Sequence, residues 1–160
     1  MDKDLSRTIR IEEIPHLVGT TYAGVPMIVT KDQRDQFERL TLVDRAHPEP
    51  DPLEFPADIV EGFHTLALLD AMSELARPFD PTTTYAYNYG LDRVRWVSPV
   101  RIGEELRSWF ECTEVVPKGS GWLVRLQCTV SIGDSETPAM VADWLAYVLP
   151  RSSQTELHSE

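Results

Sequence analysis

The sequence is poor in the residues that build covalent or metal-held scaffolds. It has only 2 cysteines in 160 residues, Cys112 and Cys128, both within apolar, strand-like runs. A disulfide framework or a zinc site needs more ligands at closer spacing. The two thiols therefore read as small buried hydrophobes, and no metal is expected. Basic residues are scarce as well: 15 Lys and Arg stand against 26 Asp and Glu, for a net charge of −11. That balance argues against a nucleic-acid partner, because phosphate binding needs clustered cations. It leaves room for an anionic small ligand, since a few arginines suffice to make a local positive mouth. No apolar run approaches the roughly 20 residues that span a bilayer, so no membrane contact is expected. The opening Met1-Asp2-Lys3-Asp4-Leu5-Ser6 lacks the basic-then-apolar order of a secretory leader, and a cytoplasmic protein is the expectation. The Gly-x-Ser-x-Gly elbow, the Gly-x-Gly-x-x-Gly turn and the Walker loop are missing too, which argues against the hydrolase, dinucleotide and phosphoryl-transfer chemistries built on them.

What is present suits one domain, taken as residues 1–160 with a polar tail from about 151. Residues 14–19 read as an ordered turn and 27–30 as a short strand or the approach to a helix. Phe37, Leu40 and Leu42 recur at near-helical spacing, giving a short helix capped by Asp32 and ending near Val43. Pro48, Pro50, Pro52 and Pro56 make 47–56 a loop. A second helix is expected over 59–76, capped by Asp58 and stopped at Arg77-Pro78. It is apolar on nearly every face, which predicts burial on nearly every face and a sheet wrapped about it. The remainder supplies that sheet. Strands are expected over 82–97, 105–116, 122–132 and 139–149, with a turn over 99–103 and a hairpin at Lys118-Gly119-Ser120-Gly121. Trp122, Val124, Leu126, Cys128, Val130 and Ile132 alternate with mainly polar neighbours, the pattern of a half-buried strand. One buried helix followed by consecutive antiparallel strands is an α+β architecture.

Two segments make a resemblance specific. Ile59-Val60-Glu61-Gly62-Phe63-His64-Thr65-Leu66-Ala67-Leu68-Leu69 resembles the helix entry of the MaoC-like (R-specific) enoyl-CoA hydratase/dehydratase family, where an Ala-His-Gly turn precedes a Thr-Leu-rich helix. Asn88-Tyr89-Gly90-Leu91-Asp92-Arg93-Val94-Arg95-Trp96, with Pro99-Val100 and Gly103 after it, resembles the strand and turn that follow there. The similarity runs over roughly 37–149. It implies a hot-dog fold, a curved antiparallel sheet around a central helix. It also implies reversible addition of water at the 2,3-double bond of an acyl thioester, with coenzyme A entering as part of the substrate and no other cofactor. A homodimer is expected, because a wrapped sheet leaves an edge strand open.

Such a reaction needs an acid/base pair for the α-carbon proton and the β-carbon water, and donors for the developing enolate oxygen. Gly62 sits where the family's glycine offers its N–H at a helix start, where unpaired first-turn donors and the helix dipole favour negative charge; relief of packing at a crowded entry is the alternative. For the acid/base pair the family carries Asp and, five residues on, His. Here Asp44 supplies the aspartate, Glu49 occupies the histidine position, and a histidine stands early, at His47. Glu61 replaces the family's histidine beside the glycine. Together with His64, one turn on, it makes either a local polar patch or a relocated acid/base pair. Asp70 is polar in an apolar run and points to the partner or the acyl tunnel. Asn88 is a candidate substrate contact. Arg93, with Arg95, Arg101 or Arg107, is either a solvent-facing charge or a contact for the phosphates of a nucleotide-bearing thioester. Two alternatives stay open: a non-catalytic chain of a heteromeric hot-dog hydratase, which the displaced histidine favours, and a hot-dog thioesterase.

Overall fold

The computed structural model describes residues 8–46, 56–76 and 79–151. Short strands β1 (Thr21–Ala23) and β2 (Met27–Ile28) precede helix α1 (Lys31–Thr41) and the brief α2 (Val43–Ala46). Strand β3 (Ile59–Val60) leads into α3 (Gly62–Glu74), and the long strands follow: β4 (Thr84–Trp96), β6 (Glu105–Lys118), β7 (Gly121–Ile132) and β8 (Pro138–Pro150), with the short β5 (Val100–Arg101) between β4 and β6. The main sheet runs β1-β6-β7-β8-β4, with β2 also on β6, and all its pairings are antiparallel. Strands β6 and β7 join through a two-residue loop, since Lys118 pairs with Gly121. Gly119 at its first central position has φ +53, the left-handed conformation that a tight turn of this kind asks of glycine.

The core lies between the inner face of this sheet and α3. Phe110, Met72, Leu106, Met140, Val130 and Val148 are wholly buried there. Alternation decides which residues take part. On β8, Met140, Ala142, Trp144, Ala146 and Val148 face inward, while Asp143 stands on the opposite face. Cys112 and Cys128 are buried free thiols, and burial pushes the Cys128 thiol up to about 12.

The helices differ from expectation in instructive ways. The cap of α1 is Thr30, not Asp32: its hydroxyl accepts from Gln33 N–H while the Gln33 side chain returns to the Thr30 amide. The helix ends at Thr41 because Leu42 adopts φ 63, a left-handed C-cap. The central helix starts at Gly62 rather than near 59. The β-branched Ile59 and Val60 pair with Val100 and Arg101 instead, so the expected 99–103 turn contains strand β5. Asp58 therefore does not cap α3; its carboxylate holds Arg101 across that ladder, at 2.6 Å. Nor is α3 buried all round. His64, Thr65, Leu69, Met72 and Ser73 turn inward, whereas Phe63 is 70% exposed and Leu75 68%. No helix among the described residues is long and apolar enough to cross a membrane.

Candidate active site

The entry of α3 gathers most of the polar residues singled out above. Its first helical hydrogen bond is made by Thr65 N–H to the Glu61 carbonyl. The amides of Gly62, Phe63 and His64 precede it, and no acceptor among the described residues faces them. Trp96, at the end of β4, closes over this turn: its indole N–H donates to the Gly62 carbonyl at 2.8 Å. A Cβ on residue 62 would stand 2.7 Å from the Trp96 ring, so glycine is required here by packing. That requirement does not compete with a donor role for the N–H, which points along the helix axis rather than at the ring. Phe63 packs edge-on against Trp96 at 5.4 Å.

Helix α1 lies against this entry through three consecutive-turn positions. Phe37 stacks on His64, with ring centroids 4.4 Å apart and an interplanar angle of 8°. The next residue, Glu38, meets Glu61, and Arg34 donates to Glu38 at 3.0 Å. Burial, then the hydrogen bond with Glu38, pushes the Glu61 carboxyl up to about 7. His64 is 8% exposed and burial holds its imidazole below the ordinary range. Glu61 Oε2 and His64 Nδ1 are buried without hydrogen-bond partners among the described residues. The structure thus places Glu61 and His64 side by side on α3 but gives each a different partner, Glu38 for one and Phe37 for the other. Sequence reasoning passed over Arg34 and Glu38. Their i,i+4 spacing, with Phe37 between, was the available signal.

The other candidates sit apart. Asp44 is exposed on α2 and makes no hydrogen bond or ion pair among the described residues. His47 and Glu49 lie outside the described residues, as does Arg77-Pro78. Asn88 accepts from the Trp144 indole N–H at 2.7 Å, on the inner face of the sheet. Arg93 has φ 51 at an irregularity of β4 between Asp92 and Arg95. Its guanidinium is held on the outer face by Asp143, at 2.8 Å through Nε. Arg101 and Arg107 are likewise held by carboxylates, those of Asp58 and of Glu105 and Asp134, while Arg95 donates to the Val94 carbonyl.

Beyond the entry, cavities follow α3 along Phe63, Leu66, Ala67, Asp70, Ser73 and Glu74. A cavity of about 430 Å³ lies against Phe63, Leu66, Ala67 and Asp70. A larger one, about 730 Å³, reaches Ser73 and Glu74. Both are walled by Asp70, Asn88 and Trp144, so the two adjoin, end to end, as a channel-like pair between α3 and β4.

No protein-family model matches the sequence. Nodulation protein N of Rhizobium leguminosarum bv. viciae is 39% identical over 105 residues, 64% of this chain and 65% of that protein. The 3-hydroxyacyl-thioester dehydratase Z of Mycobacterium tuberculosis is 33% identical over 90 residues, 56% of this chain and 59% of that one. The chain thus spans less than two thirds of the length of these relatives. Among solved structures, the MaoC-like dehydratase from Rhodospirillum rubrum superposes with a TM-score of 0.64 at 17% identity, over 84% of this chain and 93% of that one. The truncated HadBC (3R-hydroxyacyl-ACP dehydratase) complex from Mycobacterium tuberculosis gives a TM-score of 0.61 at 16% identity, over 82% and 96%. The fold is the hot-dog fold, and within it the likeness is to MaoC-like hydratases and dehydratases.

Proposed function

We propose that the protein adds or removes water at the 2,3-double bond of an acyl thioester, in the cytoplasm, with coenzyme A as the thioester carrier and no further cofactor. The observation that carries this reading is the entry of α3: first-turn amides at Gly62, without an acceptor among the described residues, adjoin a carboxyl, Glu61, pushed up to about 7, and the next residue, Phe63, lines a cavity. In hydration, a base takes a proton from water as its oxygen bonds to the β carbon. The π electrons move toward the thioester oxygen, and an acid then protonates the α carbon. The Gly62 N–H is the donor we assign to the developing oxyanion, as the family resemblance implies. Asp44 with His47 or Glu49 is the acid/base set that the family resemblance implies. Glu61 joins it on physical grounds, because an acid that titrates near the working pH both gives and takes a proton readily. Loss of the enoyl-thioester absorbance of crotonyl-CoA on adding the purified protein tests this. Release of free thiol without hydration would point to a thioesterase instead.

A partner-subunit role is the second reading. Glu49 at the family's histidine position and the exposed, unpaired Asp44 favour it, and the HadBC neighbour is itself a complex of hot-dog chains. Its signature is hydration that appears only on mixing with a second hot-dog chain. For self-association, β4 (13 residues) pairs among the described residues with β8 alone, which leaves its other edge for a second copy. A second copy added along that edge gives a homodimer, which sedimentation at micromolar concentration should report as twice 18.2 kDa.

A further inference from the structure

The far end of the channel gathers several polar side chains within a mainly apolar lining. Phe63 and Glu74, at its two ends, lie about 16 Å apart along the helix axis, room for an extended chain of about a dozen carbons. Its first half runs along Phe63, Leu66 and Ala67. Its second half keeps apolar walls, among them Leu17, Phe79, Val124 and Leu126, and adds a polar cluster. Asp70 projects there and makes no hydrogen bond or ion pair among the described residues. One turn on, Glu74 lines the same wall and accepts a hydrogen bond from the Phe79 amide. Between them, the buried Ser73 hydroxyl is paired with Tyr22 at 2.7 Å, leaving it further bonding capacity. Asn88 spends its carbonyl on Trp144, which leaves its amide hydrogens to the cavity. Methylene groups laid against these carboxylates would strip their water and return nothing.

We infer that the acyl group this channel takes carries a neutral hydrogen-bond donor, a hydroxyl, near its far end, received by Asp70 with Glu74, Ser73 and Asn88. The inference rests on the thioester reading above and adds the class of acyl chain to it. Arg151 stands on the cavity wall as a basic residue, but Asp70 and Glu74 line the same cavity, so an anionic chain end is disfavoured. Burial, then the charge of Asp70, raises the Glu74 carboxyl, and the hydrogen bond from the Phe79 amide opposes that shift.

Saturated thioesters test this without turnover. Calorimetric binding of 12-hydroxydodecanoyl-CoA should be at least ~10-fold tighter than that of dodecanoyl-CoA, the scale of one hydrogen bond to a charged group. The CoA monothioester of dodecanedioic acid should bind less tightly than the hydroxy probe. Asp70→Leu, at an exposed position that the fold tolerates, should bring the hydroxy and plain chains level, and Glu74→Gln should narrow the gap. Equal or tighter binding of the plain chain by the unaltered protein, tightest binding of the diacid, or no binding of any of the three overturns the inference. Hydration of crotonyl-CoA is measured in parallel. Activity there without any hydroxyl preference sinks the chain-end inference alone. A hydroxyl preference with no hydration of any enoyl thioester sinks the catalytic reading and leaves the channel's ligand class standing.

Discussion

At the entry of α3, Glu61 meets Glu38; at its last turn, Glu74 faces Asp70. In both places burial is the main force that raises a carboxyl, and a second carboxyl adds to it. The settings are opposite. The first turn of a helix presents unpaired N–H groups and the positive end of the dipole, so negative charge is welcome there. The last turn presents carbonyls and the negative end, where only a donor is welcome. One helix thus offers an electrophilic end, suited to an enolate oxygen, and an accepting end, suited to a hydroxyl. The comparison explains why two similar acid pairs are assigned different work.

The comparison breaks most sharply at Gly62. Gly62→Pro removes the N–H at a first helical position, where proline is accepted, and should cost at least ~100-fold in hydration rate, the scale of one lost oxyanion donor. Because a side chain there also strikes Trp96, stability must be followed beside activity. Trp96→Ala relieves the clash, and in that background the folded Gly62→Pro variant should stay at least ~100-fold below Gly62→Ala. Equal activity of the two double variants would remove the oxyanion role and leave Gly62 a packing residue.

A second set of substitutions sharpens which carboxyl works at the entry. Asp44→Asn, His47→Ala and Glu49→Gln test the pair implied by the family resemblance, and Glu61→Gln tests the one the fold supplies. The true acid/base residue should lose on the order of 100-fold or more in kcat with little change in Tm. If Glu61→Gln alone does so, proton transfer has moved to α3. If the three loop-side variants do and Glu61→Gln does not, the raised Glu61 is only a consequence of burial.

Local pattern carried far in this sequence, and distant contact did not. The β7 alternation, the hairpin at Gly119 and the doubly apolar β8 were legible because period and turn chemistry act over a few residues. The place of Gly62 at a helix start was legible through its motif. The start of α3 was misjudged because Ile59 and Val60 fit a helix by hydrophobicity, yet pair with β5, some 40 positions on. The Trp96 lid on Gly62 spans 34 positions and the Tyr22–Ser73 pair 51, separations over which no periodicity speaks. Glu38 went unremarked for the same reason: on α1 it looks like an ordinary solvated acid until α3 is laid against it.

The smallest expected effect is thermodynamic and needs no substrate. Glu61 has an ordinary value of 4.5 and a folded value of about 7, so the native state holds a proton that the unfolded chain gives up. Its contribution to stability is complete below about pH 4.5 and is lost as the pH climbs through 7. His64 acts in the other sense. With its folded value below 6.5, its contribution is present above that pH and is lost on acidification. Urea midpoints at pH 5 and pH 8 should therefore show that the Glu61 group withdraws on the order of 1 kcal/mol toward the alkaline end, allowing for solvent screening of a part-exposed carboxyl. Glu61→Gln should remove that loss and leave the contributions of Glu74 and His64 in place. Glu38→Gln should retain most of it, because burial, the larger cause, persists without the second carboxyl. Equal slopes in the unaltered protein and Glu61→Gln would show that Glu61 is ionised at neutral pH, and the likeness between the two ends of α3 would be lost with it.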